Sequence, residues 1–268
     1  MFEKLLVWFV HFGPGTKRWF WRTWYNIFAR MARGPDFRFM NYGYAKDGFF
    51  PDLFPADERE RYPIHLYHHT VTQANIANKA ILEVGSGRGG GASYISRYLK
   101  PKSVTGIDIS KEAIQLCNTL YREDGLCFKE GDSEDMPFDG GMFDVVLNVE
   151  SSHCYGDIDV FLSEVKRVLK PGGYFLWCDF RTNEKMEELY KQFSNSGLSK
   201  IKDQDITSNI ITALDHLTAF RKENIKRHVP WVMRQVFESY AGVRGGRVHN
   251  AFLSDEIIYM SAAFQKPV

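Results

Sequence analysis

The chain has 268 residues, of which 44% are hydrophobic and 25% charged, with a formal net charge of +1. That apolar content can build a core and excludes wholesale disorder, while the near-neutral balance gives nucleic-acid binding no electrostatic support. Four cysteines, Cys117, Cys127, Cys154 and Cys178, lack CxxC spacing, so neither a disulfide framework nor a cysteine-rich zinc site is expected, and a reducing, cytoplasmic setting fits.

In chain order, residues 1–34 combine Trp8, Phe9, Trp19, Phe20, Trp21, Trp24, Tyr25 and Phe28 with Lys17, Arg18, Arg22, Arg30 and Arg33. Aromatic rings beside arginines suit peripheral contact with a membrane surface. Amphipathic helices packing on the protein's own core explain the same stripe. The apolar run LLVWFVHF (Leu5–Phe12) is far short of the roughly 20 residues a spanning helix needs, and it lacks the flanks of a signal peptide. Further on, His65, His68 and His69 have the i, i+3, i+4 spacing that puts three rings on one helical face. Zinc can use that geometry, but no fourth ligand stands nearby and no metal is expected.

From about residue 79 to 181 strands and helices alternate. AILEVG reads as a buried strand, ASYISRYL as a helix, SVTGIDIS as the next strand and KEAIQLCNTLY as a helix burying Ala113, Ile114, Cys117 and Tyr121. LCFKEGD and FDVVLNVE are two more strands. DIDVFLSEVKRVL is a helix capped by Asp157 and stopped by Pro171-Gly172-Gly173, before a fifth strand, YFLWCDF. Such alternation implies an α/β fold, a parallel sheet with helices on both faces. After Arg181 the texture turns helical, and GRVHNAF and IIYMSAAF read as two closing strands. One domain results, with an N-terminal helical cap (1–78), a core (79–181), a helical lid or substrate insertion (182–240) and closing strands (241–268).

The turn ILEVGSGRGGGASYI admits three ligands. A triphosphate loop needs a lysine at the helix start, and the next lysine is Lys100. A dinucleotide site is harder to dismiss, because Gly85, Gly87 and Gly90 satisfy GxGxxG and Asp108 ends the next strand. Glu83, however, would repel a pyrophosphate, and Asp132 adds a second acid for a nucleoside. S-adenosylmethionine, cationic and free of phosphate, suits all three acids: Glu83 near the methionyl end, Asp108 on the ribose hydroxyls, Asp132 with Ser133 at the adenine. Arg88 has no evident partner in that turn, and solvent is its expected destination.

LEVGSGRGGGASY, GIDIS, EGDSEDMPF, FDVVLNVESSHCY and FLSEVKRVLKPGGYF together resemble the ordered motifs of class I S-adenosylmethionine-dependent methyltransferases. The resemblance implies a Rossmann-like, mostly parallel sheet with an antiparallel last strand, and a cofactor set of Glu83, Gly85, Ser86, Gly87, Asp108, Ile109, Asp132, Ser133 and Asn148. IHLYHHTVTQ, GGGASY and NVESSHCY further resemble the phthiotriol/phenolphthiotriol dimycocerosate methyltransferases, which implies O-methylation of a hydroxyl on a lipid-like acceptor. C-methylation of a sterol-like acceptor and a non-catalytic binding role compete with that reading. Tyr42 and Tyr44 in FMNYGY resemble the aromatic segment that folds over the cofactor in small-molecule methyltransferases.

An alcohol acceptor must lose its proton, which a positioned base assists. His153, just past the fourth strand, is the first candidate base. Glu150 is the alternative base or the group that orients His153.

Overall fold

A computed structural model describes residues 38–231 and 234–268; the helices expected in residues 1–34 lie outside the described residues. A strap at residues 38–50 leads through a short 3-10 turn into α1 (Arg61–Val71). The core then runs β1 (Ala80–Val84), α2 (Gly90–Tyr98), β2 (Ser103–Asp108), α3 (Lys111–Leu120), β3 (Leu126–Glu130), β4 (Phe143–Val149), α4 (Ile158–Val168) and β5 (Leu169–Thr182). It closes with α5 (Asn183–Asn195), β6 (Ser199–Asp205), α6 (Thr207–His228), α7 (Arg234–Tyr240), α8 (Arg247–Leu253) and β7 (Ile257–Gln265).

Seven described strands form one sheet in the order β3-β2-β1-β4-β5-β7-β6, parallel except for β7, the last strand, which runs antiparallel between β5 and β6. The order reverses between β1 and β4, which opens a crevice at their carboxyl ends. Sequence chemistry starts the helices: the side chains of Ser110, Asp157 and Thr182 accept from the N–H groups of Ala113, Val160 and Lys185 and cap α3, α4 and α5. One apolar layer packs α1, α2, α3 and α6 on one face of the sheet; the other packs α4 and α5 on the opposite face. Among the described residues no helix is long and apolar enough to cross a membrane.

Two expected elements are corrected. GRVHNAF is not a strand but most of α8: Gly246 precedes it, and Val248, Ala251 and Phe252 fall at i, i+3, i+4 on one face. The stretch expected to be all helical contains β6, SKIKDQD, which is almost wholly exposed. As an edge strand it pairs, among the described residues, only with β7, and it carries two lysines and two aspartates with little apolar pattern, so no period of two betrays it.

The three histidines of α1 face the strap. Tyr44 stacks on His69 at 4.4 Å between centroids, and Phe49 meets the rings of His65 and His68 edge-on. Burial holds all three below the ordinary histidine value, so they pack as neutral rings. No group of three or more His, Cys, Asp or Glu arranged for a metal occurs among the described residues.

α2 approaches α1 so closely that a Cβ at Gly91 would lie 2.0 Å from Tyr67 Cε1. Gly91→Ala is therefore expected to destabilise the protein by about 1–3 kcal/mol, despite alanine's better helix propensity. Urea unfolding checks it; an unchanged or raised midpoint would contradict the packing.

Candidate active site

β1 delivers Glu83 to the crevice, and the turn that follows needs left-handed backbone at Gly85, Gly87 and Gly89, with φ of +76°, +51° and +76°. The turn is anchored by its own amides: Gly85 and Ser86 both donate to Ile107 O at 2.9 Å. Gly87 N–H donates to Asp108 Oδ2 at 2.9 Å. Space lies over Gly87, where an added Cβ would meet only Met40 Sδ at 3.8 Å.

Glu83 is fully buried, and its Oε1 accepts from the Tyr67 hydroxyl at 2.7 Å. Burial pushes its carboxyl up to about 8, against the pull of the Tyr67 hydrogen bond. Asn148, at the end of β4, has Nδ2 3.0, 2.8 and 2.8 Å from Val84 O, Ser151 Oγ and Tyr155 OH, acceptors that share its two hydrogens. The Val84 carbonyl can only accept, so the amide orientation is fixed and Oδ1 faces away. Buried atoms around the turn without a hydrogen-bond partner among the described residues include Glu83 Oε2, Ser86 Oγ and Asn148 Oδ1. Such orphans are costly unless a ligand completes them. Two acceptors and a hydroxyl suit a ligand bearing an ammonium group, so the residues fit S-adenosylmethionine.

Asp108 ends β2 with Oδ1 on Ser110 N–H and Oδ2 on Gly87 N–H, both at 2.9 Å, and burial raises its carboxyl. Each oxygen keeps a further lone pair. Ile109 follows it half-buried. Asp132 and Ser133 lie half-buried on the loop after β3, where Asp132 Oδ1 accepts from Glu134 N–H at 2.9 Å. Arg88 does not reach solvent: it is 3% exposed, with its charge near Tyr121, Cys117 and Glu60.

A second cluster forms where β4 and β5 end. Glu150 has φ +47°, a costly conformation for a side-chain-bearing residue that turns the chain out of the strand. Its Oε1 accepts from Tyr42 N–H at 2.9 Å. Burial pushes the carboxyl up to about 7, with the Tyr42 N–H opposing and Asp179 adding to the rise. His153 sits on a short 3-10 turn, Ser152–Cys154, with its Nδ1 2.8 Å from Asp179 Oδ1.

Asp179, in β5, is wholly buried yet well served. Its Oδ2 accepts from His153 N–H at 2.9 Å and Ser152 Oγ at 2.7 Å, and Arg181 Nη1 lies 3.1 Å away. Burial alone would raise that carboxyl, but Arg181 and His153 hold it well below the usual carboxylate range. For His153, burial opposes the charged ring, but Cys154 and the Asp179 carboxylate outweigh it and push its pKa up. Asp179, rather than Glu150, thus orients His153. Sequence reading missed Asp179, although WCDF repeats the strand-end acid pattern of Glu83 and Asp108.

The strap divides the two tyrosines. Tyr42 packs against Phe180 and Phe252, at 5.4 and 5.8 Å between centroids, beside Glu150. Tyr44 turns onto α1 and is buried in the packing against His69 and Phe49.

Comparisons with known proteins agree with this geometry. The Methyltransf_11 family model, a methyltransferase domain, matches residues 82–177. The chain is 41% identical over 226 residues to the "Probable phthiotriol/phenolphthiotriol dimycocerosates methyltransferase 2" of Mycobacterium ulcerans, covering 84% of this chain and 88% of that protein. It is 36% identical to the fatty-acid O-methyltransferase of Mycolicibacterium smegmatis, covering 91% and 88%. The fold is similar to geranyl diphosphate C-methyltransferase from Streptomyces coelicolor, solved with S-adenosyl-L-homocysteine, at a TM-score of 0.69 and 16% identity over 93% of this chain and 97% of that one.

Ionised Glu83 is the state that matches a cationic ligand. Its raised carboxyl sheds its proton only as pH climbs toward about 8, so cofactor affinity is expected to rise from pH 6 to 8. Calorimetric titration with S-adenosylhomocysteine reads this, and Glu83→Gln should flatten the dependence.

Proposed function

Because the chain belongs to the class I S-adenosylmethionine-dependent methyltransferases, in the family of the phthiotriol/phenolphthiotriol dimycocerosates methyltransferases, we propose that it methylates a hydroxyl on an apolar, lipid-like small molecule. The bound cofactor supplies an electrophilic methyl group on a sulfonium. Glu83, Ser86 and Asn148 would hold its methionyl end, Asp108 with Ile109 its ribose, and Asp132 with Ser133 its adenine. Tyr42 would close the wall over Glu150.

The observation that carries the reading is Glu150, a strained acid at a strand end with its carboxyl near neutrality. Enzymes raise a carboxyl toward the working pH when it must take a proton in the reaction. In this scheme Glu150 accepts the proton of the acceptor hydroxyl. His153, fixed by Asp179 and kept positively charged, lends Glu150 a neighbouring cation that favours its ionised form. That assignment moves the base from His153 to Glu150, since a charged ring cannot accept a proton. A carboxylate acceptor, the kind a fatty-acid O-methyltransferase takes, has no proton to lose and would leave such a base without work.

The aromatic wall of Tyr42, Phe180, Phe252 and Tyr259 favours a second reading, C-methylation of a sterol-like acceptor, because π faces stabilise a carbocation. Residues 182–240 would cover the acceptor as a lid, and residues 1–34 would bring the enzyme to a lipid surface.

Incubating the enzyme and labelled cofactor with a long-chain alcohol, the matching acid and a sterol separates these readings. Label on the alcohol oxygen is expected, and label on carbon would sink the O-methyl assignment. Glu150→Gln should lower kcat by about 10²–10⁴-fold while leaving S-adenosylhomocysteine affinity near wild type. The wild-type rate should climb through a limb near pH 7, because the base works only when ionised.

A further inference from the structure

Arg221, well inside α6, has no role in the scheme above, yet it joins three segments around Glu150. Its Nη2 donates to Asn41 O at 3.0 Å, and its Nη1 donates to the carbonyl of Ala241, just past α7. Its guanidinium lies 5.7 Å from the centre of the Tyr42 ring. The Tyr42 hydroxyl in turn donates to Tyr240 O at 3.3 Å, and the Tyr42 N–H to Glu150 Oε1 at 2.9 Å. The turn after α7 fits closely: a Cβ at Gly242 would lie 3.0 Å from Arg221 Nη1.

These partners are carbonyls and a ring, and among the described residues no carboxylate pairs with Arg221. A cation drawn out of water without a counter-ion is costly, and its burial disfavours the charge. A neutral hydrogen-bonding side chain could tie carbonyls together at lower cost. What it could not do is act through space on Glu150, which the Arg221 charge reaches.

We propose that Arg221 is a positioning residue for the methyl transfer, clamping the strap at Asn41–Tyr42 and the turn after α7 into one closed wall beside Glu150. This rests on Glu150 as the base. The groups facing Glu150 are Tyr42 from the strap, Tyr67 from α1, Cys178 and Asp179 from β5, His153 from the 3-10 turn, Tyr259 from β7 and Arg221 from α6. Asp179 opposes ionisation, while the His153 and Arg221 charges favour it.

The test uses the full chain as wild type, Arg221→Met and Arg221→Lys, with Glu150→Gln to identify the carboxyl band. Infrared difference titration reads Glu150, and chymotryptic cleavage after Tyr42 with S-adenosylhomocysteine bound reads the clamp. In Arg221→Met the Glu150 midpoint should rise by about one pH unit. Its kcat should fall about 100-fold, with the pH limb moving in parallel, because the wall no longer fixes the acceptor. Arg221→Lys keeps the charge but loses the fork, so its midpoint should stay near wild type while cleavage accelerates. Arg221→Gln replaces the methionine variant if that one does not fold. An unmoved midpoint in the uncharged variant, or unchanged cleavage at Tyr42, overturns the inference. A wild-type enzyme that methylates no alcohol sinks the proposed acceptor and leaves both of these readouts intact.

Discussion

Four parallel strands bring carboxyl groups, side by side, into a crevice that strips most of their water: Glu83 from β1, Asp108 from β2, Glu150 just past β4 and Asp179 in β5. Taking a carboxylate out of water is expensive, and each site answers that cost differently. Asp179 is satisfied by cations and N–H donors and stays ionised. Asp108 is held by two backbone amides. Glu83 and Glu150 are under-served, and burial pushes both toward neutrality. The chemistry of the site is this gradient of satisfaction along one sheet edge.

The gradient divides labour. The acid at the glycine turn has an oxygen without a partner among the described residues, and burial lifts the one at the end of β4 to about 7, the acid to which the proposed scheme assigns the proton. The well-served acid between β4 and β7 is a fixture that keeps the His153 ring charged and in place. Around them, the strap, α6 and α7 supply the wall that a sheet edge lacks, tied through Tyr42 and Arg221.

Much of this was legible in the residues. Alternating apolar runs, capping side chains and the glycine turn placed β1 to β5 and their helices, because burial on a two-faced sheet leaves long hydrophobic strands. Glu83, Asp108 and Asp132 stood out because they end successive strands. β6 was hidden by its exposure, and α8 by a seven-residue length too short to separate a period of 3.6 from one of 2. Asp179 carried the same strand-end signature but no motif, and Arg221 carried none: its partners are 180 and 20 residues away in the chain.

The sequence by itself determined the fold class, the nucleotide-type turn and the acids at the strand ends, since those follow from local periodicity and residue type. Only the tertiary structure decided which acid is paired with cations and which is left short of partners. A carboxyl's proton affinity is set by how much water it loses and which charges face it, and those neighbours converge from the strap, β5, β7 and α6, segments that chain order keeps far apart.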